Sequence, residues 1–304
     1  FFTFFASPFP SLPIGPMNDP SVQVVLQRCI NYDRLAVKGS VETALGHLGR
    51  TGGMHGKTVL LKPNLISGSG PQFSCTHPEF IAGVAACFLD RGAKVIVGDS
   101  PAFGNASRVC EKQGITRALK GLEVKIVDFS NPLPQRLAGG LTVTLAREAL
   151  ECDLFVNLPK VKAHNQLFVT LAVKNVFGIV KGVNKAMLHM IHGSSHLGFS
   201  GIILDLIELL PPQIHLADGI VAMHRSGPLD GEPLPFSCIA AAESAVALDT
   251  ALLIALELNP QCSPLWQLAA KRCLVGSDAN TIRYPELLPK DFFGSGFVAP
   301  SGLN

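Results

Sequence analysis

Short runs of apolar, largely β-branched residues alternate along the chain with longer stretches whose apolar positions recur at helical spacing. "VQVVLQRC" at 22–29 reads as a first strand, and a helix is expected near 37–48. "KTVLLKPNL" at 57–65 reads as a buried strand that Pro63 stops, and "HPEFIAGVAACFLDRG" at 77–92 as a helix. Pro78 falls in the first turn of that helix and Gly92 is its stop signal. "AKVIVGDS" at 93–100 is the next strand, residues 104–120 a helix, and "LEVKIVDFS" and "LTVTLA" two more strands. "DLFVNLPKVK" at 153–162 extends the series as one further buried strand.

The alternation resumes at "LGFSGIILDLIELL", a helix closed by Pro211 and Pro212, and "QIHLADGIV" then reads as a strand ending in Asp-Gly. "FSCIAAAES" suggests a strand; "AVALDTALLIALEL" and "PLWQLAAKRCL" suggest helices. Strands alternating with helices argue for βαβ units. The expected fold is therefore α/β, a mostly parallel sheet flanked by helices, with room for a small lobe inserted around 165–200. Residues 21–280 read as a single domain, 1–20 as a Pro-rich or truncated arm, and 281–304 as an irregular Gly- and Pro-rich tail.

Composition narrows the class. The chain has 304 residues, of which 47% are hydrophobic and 16% charged, which suits a core-rich globular protein. A net charge of +2 gives no reason to expect general nucleic-acid binding. No stretch reaches the roughly 18 uninterrupted apolar residues of a membrane span. The opening "FFTFFASPFP" has no basic residue ahead of its apolar run, so a cytoplasmic location is expected, with export through an incomplete signal region as the alternative. No two of the eight cysteines are separated by two residues, so most read as small core hydrophobes.

Charge is distributed unevenly. Residues 157–193 carry five lysines and three histidines, and no Asp or Glu occurs between Asp153 and Asp205. Lys160, Lys162, His164 and Lys174 interrupt sequence that otherwise reads as buried. Uncompensated buried charge is costly, which leaves three outcomes. The side chains snorkel to water, pair with distant acids such as Asp99 and Asp218, or meet a bound anion.

Four strands end in polar groups: Lys62 with Asn64, Asp99 with Ser100, Asn157 with Lys160, Lys162 and His164, and Asp218. In an open parallel sheet, ligands bind beyond the carboxyl ends of the strands. The expected ligand is a small carboxylated or phosphorylated anion, with Lys62, Lys160 and Lys174 neutralising its charge. His164 is the candidate general acid or base, because imidazole titrates nearest neutral pH. Asp99 or Asp218 would orient it. Lys162 is a second candidate, as a Schiff-base nucleophile. Asn64, Asn175, Lys185 and His189 complete the ligand-binding set, Lys185 and His189 lying four residues apart.

Other chemistries lack their patterns. There is no Walker A sequence, no GxGxxG between strand and helix, and no GxSxG elbow. His189, His192 and His196 have helical spacing, but the acid-free segment offers no carboxylate to complete a site, so no metal is assigned.

The motifs "LLKPNL", "THPE", "VIVGDSP", "VNLPKVKAH", "LAVKNVFGIVKG", "KAMLH", "LADGIVAM", "SGP" and "VALDT", in this order, resemble the domain-of-unknown-function 362 family over roughly residues 22–275. Matching positions are Lys62, Pro63, Asn64, Asp99, Lys160, Lys162, His164, Lys174, Asn175, Gly178, Lys185, His189, Asp218, Gly219 and Asp249. Ala163 stands where the family often has Thr. The resemblance implies an iron-sulfur association, since many relatives carry a ferredoxin-like module and some a twin-arginine signal. This chain has no CxxCxxC run, so an intrinsic iron-sulfur cluster is not expected and the cofactor stays unassigned. Two alternatives to an acid/base enzyme remain. One is a non-catalytic ligand- or cofactor-binding domain that works with a separate ferredoxin-like partner. The other is a metal-dependent isomerase, since the lysine and histidine arrangement is similar in flavour to nickel-dependent lactate racemase.

Overall fold

The computed structural model describes residues 22–181, 188 and 196–300. In chain order its elements are β1 (Val22–Arg28), α1 (Arg34–His47), β2 (Thr58–Pro63), α2 (Pro78–Leu89), β3 (Lys94–Asp99), α3 (Ala106–Lys112), α4 (Ile115–Ala118) and β4 (Val124–Asp128). There follow β5 (Leu133–Arg136), β6 (Thr142–Leu145), α5 (Arg147–Glu151), β7 (Leu154–Leu158), β8 (Lys160–His164), β9 (Phe168–Thr170) and α6 (Ala172–Val176). The chain continues with α7 (His196–Glu208), β10 (Gln213–His224), β11 (Glu232–Ala242), α8 (Ala245–Ala255), α9 (Pro264–Lys271) and β12 (Ile282–Arg283).

The main sheet runs β12-β1-β11-β10-β7-β2-β3-β4, with β8 beside β10 and β9 beside β8. Pairings along β10-β7-β2-β3-β4 are parallel, as are β10 with β8 and β1 with β12. β11 is antiparallel to both its neighbours. This is the α/β fold expected, a mostly parallel mixed sheet flanked by helices. β5 and β6 stand apart as a two-stranded antiparallel ribbon.

Side chains alternate between the faces of the sheet with the period of two that a strand imposes. Val25, Val59 and Leu61 join a core against α1 to α4, whereas Val24, Leu26 and Leu60 join a larger core against α5 to α9. Both faces are thus covered by helices, which is why these strands read as near-continuous apolar runs. Asp33 caps α1 by accepting from Ala36 N, and Pro78 opens α2 at its first turn.

Several boundaries differ from expectation. The predicted helix 104–120 divides at Gly114, whose φ of 81° is left-handed. "DLFVNLPKVK" is two strands, because Pro159 ends the pairing of β7 with β2 while β8 remains on β10. Asp218-Gly219 lies inside β10, not at its end, and the register shifts between Gly219 and Val221 as at a β-bulge. The described residues of 165–200 pack into the larger core and form no lobe of their own. In the expected tail, β12 pairs with β1, and Phe292 and Phe297 are buried. Among the described residues no helix is long and apolar enough to cross a membrane.

Candidate functional site

Beyond the carboxyl ends of β2, β3 and β8 lies a cavity of about 600 Å³. Lys62, Asn64, Asp99, Lys162, His164, Lys174, Asn175 and Lys181 line it, together with Thr170, Phe103 and Gly178. Lys62, Asn64 and Asp99 reach this cavity from the carboxyl ends of β2 and β3, where ligand sites of open parallel sheets form, and β8 adds Lys162 and His164 from beside β10. Among the described lining residues four lysines face one acid, Asp99.

That acid is already engaged. Lys62 Nζ lies 2.8 Å from Asp99 Oδ1, and both side chains are buried. Leu65 N and Ser100 N donate to the same carboxylate at 2.9 Å. Lys62 Nζ also donates to Pro63 O at 2.8 Å. Burial pushes the Lys62 amine down, against the pull of Asp99. Gly178 covers the pair so closely that a Cβ there would lie 2.5 Å from Lys62 Nζ. Asp99 is consequently a clamp on Lys62 and on the loop after β2, and it does not orient His164.

Three amides carry order from the cavity into the core. Asn175 Nδ2 donates to Asn157 Oδ1 at 2.8 Å, and Asn157 Nδ2 donates to Ala172 O at 2.9 Å. Asn64 Nδ2 donates to Asn175 Oδ1 at 2.7 Å. Carbonyl oxygens only accept, so Ala172 O fixes the orientation of the whole relay. His215 Nδ1 closes it, 3.0 Å from Asn157 Nδ2; burial pushes this imidazole down to about 3, leaving it neutral and able to accept. Asp249 holds the start of α6, accepting from Ala172 N at 2.7 Å and Val173 N at 3.2 Å. Burial raises the Asp249 carboxyl to about 8 against these two donors. In this way α8 sets the position from which α6 presents Lys174 and Asn175.

Lys162 is different from Lys62. It is 1% exposed and makes no salt bridge among the described residues. Its Nζ donates to two backbone carbonyls, Ser74 O at 2.7 Å and Pro228 O at 3.4 Å. Burial lowers its pKa to about 8. His164 lies two residues further along β8, hence on the same face. Gln166 N and Leu167 N both donate to His164 Nδ1 at 3.2 Å, so the neutral ring carries its proton on Nε2. Backbone amides of the turn after β8 therefore orient His164; neither Asp99 nor Asp218 does.

Lys160 and Asp218 do not line the cavity. Lys160 Nζ pairs with Asp218 Oδ2 at 2.8 Å and bonds Tyr32 Oη at 2.9 Å. Tyr32 donates to Asp218 Oδ1 at 2.8 Å, and His77 N donates to Oδ2 at 2.9 Å. The Tyr32 and His77 rings stack on each other with centroids 3.6 Å apart. The cluster ties the loop after β1 and the start of α2 to β8 and β10.

Lys185 and His189, expected as ligand-binding residues, and His192 of the histidine trio lie outside the described residues. Lys181 and Thr170 also line the cavity, beyond the residues that the sequence pattern marks as site candidates. Lys181 belongs to the acid-free segment, so its charge was a usable signal. Thr170 carries none, because its place depends on β9 pairing with β8.

The fold and the cavity together define a doubly covered α/β protein with a lysine-rich pocket at the carboxyl edge of its parallel strands. A family model described as domain of unknown function (DUF362) matches residues 59–253, and the chain belongs to this family. It is 34% identical over 284 residues to the thylakoid-associated protein sll1697 of Synechocystis sp., covering 92% of this chain and 88% of that protein. Among solved structures, the lactate racemase apoprotein of Thermoanaerobacterium thermosaccharolyticum aligns with a TM-score of 0.48 at 13% identity, over 79% of this chain and 59% of the racemase. A protein from Thermotoga maritima aligns with a TM-score of 0.42 at 12% identity, over 68% of this chain and 56% of its own.

Proposed function

We propose that the protein is an enzyme that binds a small anionic substrate, a carboxylate or phosphate, in the cavity beyond β2, β3 and β8. The observation that carries this reading is Lys162, buried in the cavity wall with no carboxylate partner among the described residues, in a cavity whose described acid, Asp99, is already neutralised by Lys62. A buried lysine with no carboxylate partner costs stability. An anion in the cavity offsets that cost. His164, with its proton on Nε2, serves as a hydrogen-bond donor to an oxygen of the substrate where charge develops. The Asn64–Asn175–Asn157 relay and the Asp249 cap hold the walls in place.

Calorimetric titration with oxalate and with inorganic phosphate tests the reading. Saturable binding of either to the wild-type protein, weakened at least about tenfold in a Lys174→Ala, Lys181→Ala double variant, supports it; each removed contact to a charged group contributes about 1.5–3 kcal/mol. Equal affinity in wild type and variant, or no saturable binding of any anion, counts against it.

A further inference from the structure

We infer that Lys162 is a nucleophile that condenses with the carbonyl group of an anionic aldehyde or ketone held in this cavity, so that the substrate is an oxo acid. The inference rests on the anion-binding reading above and adds the covalent chemistry.

The geometry around Nζ carries it. A neutral amine has two N–H groups and one lone pair. Ser74 O and Pro228 O are two acceptors fixed on separate loops, and they accommodate both N–H groups. The lone pair is then the remaining tetrahedral position, on a side chain that lines the cavity. Lys62 and Lys160, equally buried, lack this arrangement because each is held by a carboxylate at 2.8 Å.

Two neighbours suit the oxygen of such a substrate. Thr170 is the cross-strand partner of Lys162, so their side chains share a face. Its hydroxyl is buried in the cavity wall and has no hydrogen-bond partner among the described residues. His164 Nε2–H is the second donor. Burial supports the same assignment: with its pKa at about 8, Lys162 at pH 8 has a neutral fraction about 100-fold that of an ordinary lysine at 10.4.

The step balances without a further reagent. The Nζ lone pair attacks the carbonyl carbon and the C=O π pair moves to oxygen, where Thr170 and His164 donate. One Nζ proton passes to that oxygen to give a neutral carbinolamine. The oxygen then departs with a second proton as water, and a C=N bond to Nζ remains. The substrate carboxylate stays with Lys174 and Lys181.

Reductive trapping is the test. The full chain is incubated at pH 8 with glyoxylate and cyanoborohydride, then digested and sequenced by mass spectrometry. Early labelling should concentrate at Lys162 as a carboxymethyl group, at least about tenfold over any other lysine, given its larger neutral fraction. Lys162→Arg, which keeps the charge but has no nucleophilic amine, should lose this label while still binding oxalate. Oxalate binding by the wild type with labelling spread evenly over surface lysines overturns the covalent inference and leaves the anion site standing. Absence of both label and oxalate binding overturns both.

Discussion

Gly178 stands directly over Asp99: a Cβ at position 178 would meet Asp99 Oδ1 well inside contact distance and reach Lys62 Nζ at 2.5 Å. The pair is buried and the glycine belongs to the turn after α6, so the carboxyl ends of β2 and β3 are locked to that turn. Ser100 N, which also donates to Gly178 O at 3.0 Å, completes the lock.

Gly178→Ala should therefore destabilise the protein although it adds one methyl group. Overpacking costs about 1–3 kcal/mol, and displacement of either charge adds to it. A fall of at least about 2 kcal/mol in urea unfolding is expected. A change within about 0.5 kcal/mol, the usual range of surface substitutions, would refute the assignment.

The Lys160–Asp218 pair should behave as structure. Lys160→Met leaves a buried carboxylate without its cation and should cost about 3–5 kcal/mol. Tyr32→Phe removes one donor to Asp218 and should cost about 1–3 kcal/mol. Neither substitution should abolish reductive labelling of Lys162 in the folded protein. Loss of that label in a Tyr32→Phe variant with a native circular dichroism spectrum would place the cluster in the site after all.

His164→Asn separates orientation from donation. An asparagine Oδ1 can accept from the turn amides in place of Nδ1, but nothing replaces the Nε2 donor. Labelling of Lys162 by glyoxylate should slow by about 10²-fold, as when one donor to a developing oxyanion is removed, while oxalate affinity changes much less. Equal losses in both would mean that the substitution collapses the turn.

Two buried groups give opposite pH dependences. The Asp249 carboxyl is raised from 3.8 to about 8. Between these values the folded state binds the extra proton, so its contribution is complete below pH 4 and is lost as pH rises towards 8, with a slope of at most about 1.4 kcal/mol per unit. Lys162 is lowered from 10.5 to about 8. Between 8 and 10.5 the unfolded state binds more protons, so this group's penalty fades and stability rises with pH. Asp249→Asn should flatten the first limb and Lys162→Met the second in unfolding curves taken from pH 4 to 10.5. Lys162→Met should also stabilise the protein at pH 7, where a buried cation is replaced by an apolar side chain of similar length.

The fold was largely legible because it depends on local periodicity. "KTVLLKPNL" and "AKVIVGDS" are apolar on both faces, and only strands covered on both sides tolerate that. Asp218-Gly219 reads as a strand end in the sequence because a turn signal and a bulge in a long strand use the same residues; the difference lies in β11, which pairs across it. The 104–120 helix was too long because Gly114 breaks it through a left-handed φ, a conformation that periodicity does not reveal.

For the site, the sequence by itself determined that an acid-free, lysine-rich segment follows a buried strand, and that Lys62, Asn64 and Asp99 sit at the ends of theirs. It also carried the ordered motifs that mark the family. Only the tertiary structure decided which charges are free to act, because ion pairing joins residues far apart in the chain. Lys160 meets Asp218 and Lys62 meets Asp99 across the sheet, whereas among the described residues Lys162 donates to backbone carbonyls and to no carboxylate. Strand order sets those distances, and no local pattern encodes it.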